Sequence, residues 1–240
     1  MGRETVVILC SGFGLGFYIP GLLCSYQLKQ RGIKTDVHVF ESFMSGEKKE
    51  KIINSRIAYH KNFSVALVAT KMPIDMRESI DYEAVDKLLK SWEDNEVCNF
   101  ITLSGHWVYI LNMYRERIAP KKINVDLLYV DSDLSPSWRG LKRFIPDYNQ
   151  YYTDLWLYDA ENKKINFQLN ATHDEPIPYD ERSERFVIHG GGWGMGTYQN
   201  KIDILEGKGF LLDIVTYQME EACVRKKGNR YFINDPSWSA

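Results

Sequence analysis

Apolar residues gather in short runs along the first part of the chain, at Thr5–Cys10 (TVVILC), Thr35–Phe40 (TDVHVF), Ser64–Ala69 (SVALVA), Phe100–Leu103 and Val125–Val130 (VDLLYV). Runs of this length, rich in branched and aromatic side chains, predict strands. Between them, near Leu22–Arg31, Glu47–Tyr59, Tyr82–Trp92 and Trp107–Glu116, apolar positions recur every three or four residues, the spacing of one helix face. Strands alternating with helices predict an α/β fold, a Rossmann-like parallel sheet with helices on both faces, over residues 1–158.

From Asp131 the texture changes. The stretches SDLSPSW, FIPDYNQYY and HDEPIPY mix proline with aromatic and acidic residues and read as loops, with extended pieces at Asp154–Tyr158 and Lys164–Leu169. Residues 159–184 are therefore expected to connect the first domain to a second. A strand at Arg185–His189 (RFVIH) leads into the glycine-rich Gly190–Gly196, then a helix at Tyr198–Leu205 and a strand at Phe210–Val215. Residues 185–240 thus read as the beginning of a second Rossmann-like unit. Only 44 residues follow Gly196, whereas a single crossover unit takes about 30 or more. The expectation is that the chain is the front of a longer protein, or that its tail folds onto the first domain, or that a partner supplies the rest.

Composition narrows the class. With 240 residues, 44% hydrophobic and 26% charged, the chain can bury a core, and a net charge of −2 gives no global reason to expect nucleic acid. No apolar run reaches the roughly 18 residues of a membrane helix, and the N-terminus lacks a signal-peptide pattern, so a cytoplasmic location is expected. Cys10, Cys24, Cys98 and Cys223 form no CxxC pair and read as free thiols, and no metal-ligand constellation stands out.

The chemistry lies in two glycine turns of similar build. Gly12, Gly14 and Gly16 follow the first strand, and Gly192, Gly194 and Gly196 follow RFVIH. Glycines between a strand and a helix let backbone N–H groups approach an anion at the positive helix end. The dinucleotide fingerprint is incomplete, because its third glycine position is Phe17, and the nearest suitable ribose-binding acid is Glu41. No Gly-Lys-Ser/Thr follows either turn, which excludes a Walker loop.

The stretch VVILCSGFGLGFYIPGLLCSYQLKQRG, with its strand, glycine turn and proline-bearing helix, and the later RFVIHGGGWGMG together resemble the two-domain GT-B glycosyltransferases, particularly the branch of the bacterial lipid-linked N-acetylglucosaminyl transferase of peptidoglycan synthesis and the UDP-glycosyltransferases. The resemblance implies transfer of a sugar from a nucleotide-sugar donor to a small or lipid acceptor. It implies no cofactor beyond that substrate, and association with a membrane surface or a partner subunit. Acceptor contacts are expected at Gly12, Gly14, Gly16, Phe17, Tyr18 and Ser104, and nucleotide-sugar contacts at Gly191, Gly192, Trp193 and Gly194, although the family's donor-binding residues lie mostly later in its C-terminal domain, so the chain is expected to be incomplete and inactive alone. The first loop of that family commonly reads G-G-H-x-x-P with histidine as the base. Here Pro20 matches the proline, but Phe17 stands at the histidine position and cannot take a proton.

Other bases are suggested by position. His106 lies just beyond a strand's carboxyl end, where open α/β sheets place ligands, and an ordinary imidazole titrates near neutrality. Asp131 occupies the same edge after the next strand. A packed histidine and a turn-forming aspartate are the plain alternatives. Trp138, Tyr148, Tyr151, Tyr152 and Trp156 can stack on a sugar or simply form core. Two other functions stay open: a non-catalytic acceptor-binding subunit completed by a partner chain, and a Rossmann-type NAD(P)-dependent oxidoreductase.

Overall fold

The computed structural model of the protein describes residues 5–12, 15–61, 68, 72, 74–130, 134–139, 141, 152–159, 161–169, 177–189, 199–216 and 223–234. The chain divides into two compact units, residues 1–56 with 68–171 and residues 57–67 with 172–240. The expected connecting segment is shared, 159–171 belonging to the first unit and 172–184 to the second.

The first unit is α/β. Its strands β1 (Thr5–Cys10), β2 (Lys34–Val39), β3 (Asn99–Thr102), β4 (Asn124–Tyr129) and β5 (Tyr152–Trp156) form a sheet in the order β2-β1-β3-β4-β5. Every pairing in it is parallel. Alternation along the strands serves both faces. Val7, Leu9, Phe100, Val125 and Leu127 join one core with Val85, Leu88 and Leu89 of helix α3 (Tyr82–Asp94) and Ile110 and Leu111 of α4 (Val108–Ile118). Ile8, Cys10 and Leu128 turn the other way, toward Cys24 of α1 (Leu15–Gln30). Burial on both faces explains the near-continuous apolar strands. A short ribbon, β6 (Tyr158–Asp159) with β7 (Lys164–Ile165), comes after β5.

Three expectations change. Helix α1 begins at Leu15, seven residues before the expected start, and runs through Pro20. Proline removes the N–H that would bond the carbonyl of Gly16, and α1 is apolar on more than one side, exposing Ile19 and Leu22 while Phe17 and Tyr18 pack inward. Helical periodicity is therefore hidden in its first turns. Of the expected strand Ser64–Ala69 only Val68 is described, and it is helical. The extended segment near Asp154 is the edge strand β5, hydrogen-bonded to β4. The remaining helix of this region, α2 (Gly46–Lys61), lies where expected.

In the second unit, β8 (Arg185–His189), α5 (Gln199–Gly207) and β9 (Leu211–Thr216) make a β-α-β crossover with β8 and β9 parallel. The hairpin β10 (Cys223–Lys227) and β11 (Arg230–Asn234), unforeseen from sequence, extends it to the order β10-β11-β9-β8. A signal for it is nonetheless present. Gly228-Asn229 separates two β-prone runs, and Gly228 has φ 60°, the left-handed first position that a tight hairpin turn demands.

Candidate functional site

In an open parallel sheet, ligands enter at the carboxyl ends of the strands, where the strand order reverses. Here β1 lies between β2 and β3, so the reversal falls at the end of β1. Ser11 and Gly12 leave β1 there, Glu41 comes after β2, and Leu103–Trp107 come after β3.

The loop after β3 is tightly determined. The Thr102 hydroxyl donates to the Ser104 carbonyl at 3.0 Å, and the Trp107 Nε1–H donates to the Cys10 carbonyl at 2.7 Å, pinning the loop to the end of β1. The Gly105 N–H donates to Ser137 Oγ at 3.2 Å, and a Cβ on Gly105 would stand 1.9 Å from the Ser137 carbonyl oxygen. Only glycine lets these two backbones approach so closely.

Two polar atoms at this edge lack partners among the described residues. The Ser11 hydroxyl donates to Glu41 Oε1 at 3.0 Å, while Glu41 Oε2 is enclosed and has no hydrogen-bond partner among the described residues. Ser104 is 1% exposed, and its hydroxyl is likewise without a partner among them. An enclosed polar group left unpaired costs about 1–3 kcal/mol, so folds tolerate such groups mainly where a ligand or water completes them. Carried past the strand ends, the registers Leu9↔Thr102 and Cys10↔Val39 lay Ser11 beside Ser104 and Gly12 beside Glu41. Sequence reasoning singles out Glu41 only as a ribose-binding acid and misses Ser11. The available signal is a polar residue directly after each apolar run.

His106 is 5% exposed, with its ring 5.1 Å from that of Phe40. Burial pushes its pKa down to about 4, against a smaller upward influence of the Asp75 charge. The two properties that favour His106 as a base, access and titration near neutrality, are both removed by this packing. The group instead carries a pH dependence. The unfolded chain takes up a proton near pH 6.5 that the folded chain refuses until about pH 4. Stability is therefore full above pH 6.5 and falls through that window, by about 3 kcal/mol for this group. Urea midpoints for the protein and His106→Leu at pH 7.5 and 4.5 are expected to show a smaller acid loss in the variant; identical losses would refute the assignment.

The remaining candidates divide between packing and positions outside the described residues. Gly12 is exposed, and a Cβ there would lie 3.4 Å from Glu41 Oε1, an ordinary contact. Gly16 sits in the first turn of α1 with open space around its Cβ position. Phe17 and Tyr18 are partly buried against the core that contains Cys10 and Leu103. Gly14, Asp131, Gly191, Gly192, Trp193 and Gly194 lie outside the described residues. Of the aromatic group, Trp138 is 4% exposed, and Trp156 stacks on Tyr129 at 4.2 Å. The Tyr152 hydroxyl donates to Asn112 at 2.6 Å. These three belong to packing; Tyr148 and Tyr151 lie outside the described residues. Burial and the Glu41 charge push the Cys10 thiol up to about 11, so it stays protonated and unreactive.

Among the described residues no helix is long and apolar enough to cross a membrane, and no group of three or more His, Cys, Asp or Glu side chains is placed to hold a metal ion. No protein-family model, curated protein or solved structure matches the chain.

Proposed function

We propose that the five-stranded unit binds the hydroxyl-bearing acceptor of a glycosyl transfer whose donor is a nucleotide sugar. The observation that carries this reading is the pair of unpartnered polar atoms, Glu41 Oε2 and Ser104 Oγ, at the carboxyl edge of the sheet. A carboxylate oxygen accepts and a serine hydroxyl both donates and accepts, which suits a ligand presenting alcohol groups. The acceptor oxygen attacks the anomeric carbon, and the nucleoside diphosphate leaves with the electron pair of the broken bond. The donor contacts are assigned, by the resemblance, to Gly191, Gly192, Trp193 and Gly194, whose backbone N–H groups suit a diphosphate.

A second reading has its own support. Glu41 stands beside Gly12 at the end of β2, the position from which an acid reaches a ribose in dinucleotide-binding folds. Titration calorimetry with UDP-glucose, UDP-N-acetylglucosamine, TDP-glucose, NAD and NADP, together with an assay for released UDP, separates the two. The glycosyl-transfer reading expects sugar-nucleotide-dependent release of UDP and no heat with NAD or NADP. Binding of NAD or NADP without any UDP release would overturn it in favour of the oxidoreductase. Sugar-nucleotide or acceptor binding without turnover would identify the non-catalytic subunit.

A further inference from the structure

We infer that the amino edge of the five-stranded sheet carries a second binding site, in which Asp126 pairs with the ammonium of a small organic amine whose apolar body lies against Val6, Leu28, Ile33 and Ile101. This edge is opposite the one that holds Ser11, Glu41 and Ser104, and the inference does not rest on the glycosyl-transfer reading.

Asp126 stands where the pattern of the sheet calls for an apolar residue. Ile8, Ile101, Asp126 and Thr153 are in register across β1, β3, β4 and β5, so the carboxylate continues a row that begins with two isoleucines. Its neighbours Val125 and Leu127 turn to the core on the other face. Asp126 is half-buried, and no hydrogen bond or ion pair engages its side chain among the described residues. Burial pushes its carboxyl above the usual carboxylate range. Arg115, Lys121 and Lys122 line a neighbouring groove that Asp126 also borders, yet no cation offsets that shift. Withdrawing a carboxylate from water without a partner costs free energy, and such groups mark places where a ligand completes the pairing.

Space for a ligand is present beside it. Among the described residues α1 is the one helix with side chains in the core on this face, and its last contributor there is Leu28. The chain then turns at Gly32 into β2, and the starts of β3 and β4 are left with a cavity of about 450 Å³ over them, within the range of small-molecule sites. Val6, Leu28 and Ile101, partly buried in the core on this face, give the cavity an apolar wall. The polar end is built from β3 and β4. Asn124, two residues before Asp126 and so on the same face, donates through Nδ2 to Asn99 Oδ1 at 2.8 Å, which leaves its own Oδ1 as a second acceptor. A carboxylate and an amide oxygen call for donors and positive charge. An ammonium supplies both, whereas an anion is repelled and an alcohol leaves the charge uncompensated.

The test uses the full chain, isotopically labelled, with benzylamine and hexylamine as probes and benzyl alcohol and hexanol as their uncharged counterparts. Backbone amide shifts are expected to saturate with the amines at Ile33, Ile101 and Asp126, and the alcohols to bind about 10- to 100-fold more weakly, the worth of one charge-assisted hydrogen bond. Asp126→Asn keeps the size and removes the charge. It is expected to weaken both amines by that factor and to leave the alcohols unchanged. Should this variant fail to fold, Thr153→Lys decides: Thr153 is the exposed cross-strand neighbour of Asp126, and a lysine there is a tethered ammonium expected to compete with the added amine. The inference is overturned by the absence of saturable shifts at these residues, by equal affinity for amines and alcohols, or by amine affinity unchanged in the deciding variant. A lysine of a second copy is the other source of an ammonium. Sedimentation is expected to give the same size for the parent and Asp126→Asn, and a dimer that the variant loses would overturn the small-molecule assignment.

Discussion

Gly105→Ala is expected to destabilise the first unit by about 3 kcal/mol, the upper end of what overpacking a tight contact usually costs. The added methyl would lie 1.9 Å from the Ser137 carbonyl oxygen and 2.5 Å from its carbon, and both are backbone atoms that no rotamer change can move aside. Relief requires the loop after β3 to separate from residues 135–138, which breaks the Gly105 N–H bond to Ser137 Oγ. Gly16→Ala is the internal control. Its Cβ meets nothing within 4 Å and it lies in a helix, so it is expected to be neutral or to stabilise by about 0.5 kcal/mol. Urea unfolding at unchanged slope measures both changes. Equal midpoints for Gly105→Ala and the parent would show that the two backbones are not in contact.

Trp107→Ala is expected to cost about 4 kcal/mol, as for other fully buried tryptophans removed from a core. The indole is 0% exposed and meets Phe40 and Phe43 edge-on, at 5.7 and 5.5 Å between ring centres. Its Nε1–H also satisfies the Cys10 carbonyl at the end of β1. Trp107→Phe retains most of the volume but leaves that carbonyl without its donor, so an intermediate loss of about 1–3 kcal/mol is expected. Because the indole ties the ends of β1 and β3 together, hydrogen exchange at Leu103 and Ser104 should quicken in both variants. A phenylalanine variant as stable as the parent would show that the Cys10 carbonyl needs no donor there.

Gly105 and Trp107 flank His106, so both substitutions strike the same turn. Steric closeness on one side and an indole hydrogen bond on the other hold this turn in the core. The same packing that lowers the His106 pKa also encloses its ring. At the neighbouring strand ends the Ser11 hydroxyl donates to Glu41 Oε1, and Glu41 as a whole is less deeply buried than His106.

Local pattern determined β1 to β4 of the first sheet and most of the helices around it. The inner strands are covered on both faces and so are apolar on both, a requirement written in consecutive residues such as Thr5–Cys10 and Asn124–Tyr129. Helix α3, with Val85, Leu88, Leu89 and Trp92 on one stripe and Asp81 accepting from the N–H groups of Glu83 and Ala84, was legible for the same reason. The start of α1 was not, because an apolar surface on several sides and Pro20 erase the period that marks a helix. The hairpin β10–β11 announced itself through Gly228-Asn229 between two β-prone runs, but Arg225, Lys226, Lys227 and Arg230 keep those runs from reading as core. The site depended on the tertiary structure most of all. Ser11, Glu41 and Ser104 lie on three separate segments, and only the order β2-β1-β3 brings their strand ends side by side. Strand order is set by how crossovers and side chains pack over the whole sheet, which no local run of residues encodes. The same holds for His106: its sequence position at a strand's carboxyl end was right, but Phe40, Trp107 and the Ser137 backbone, brought together from separate segments, decided that it would be buried.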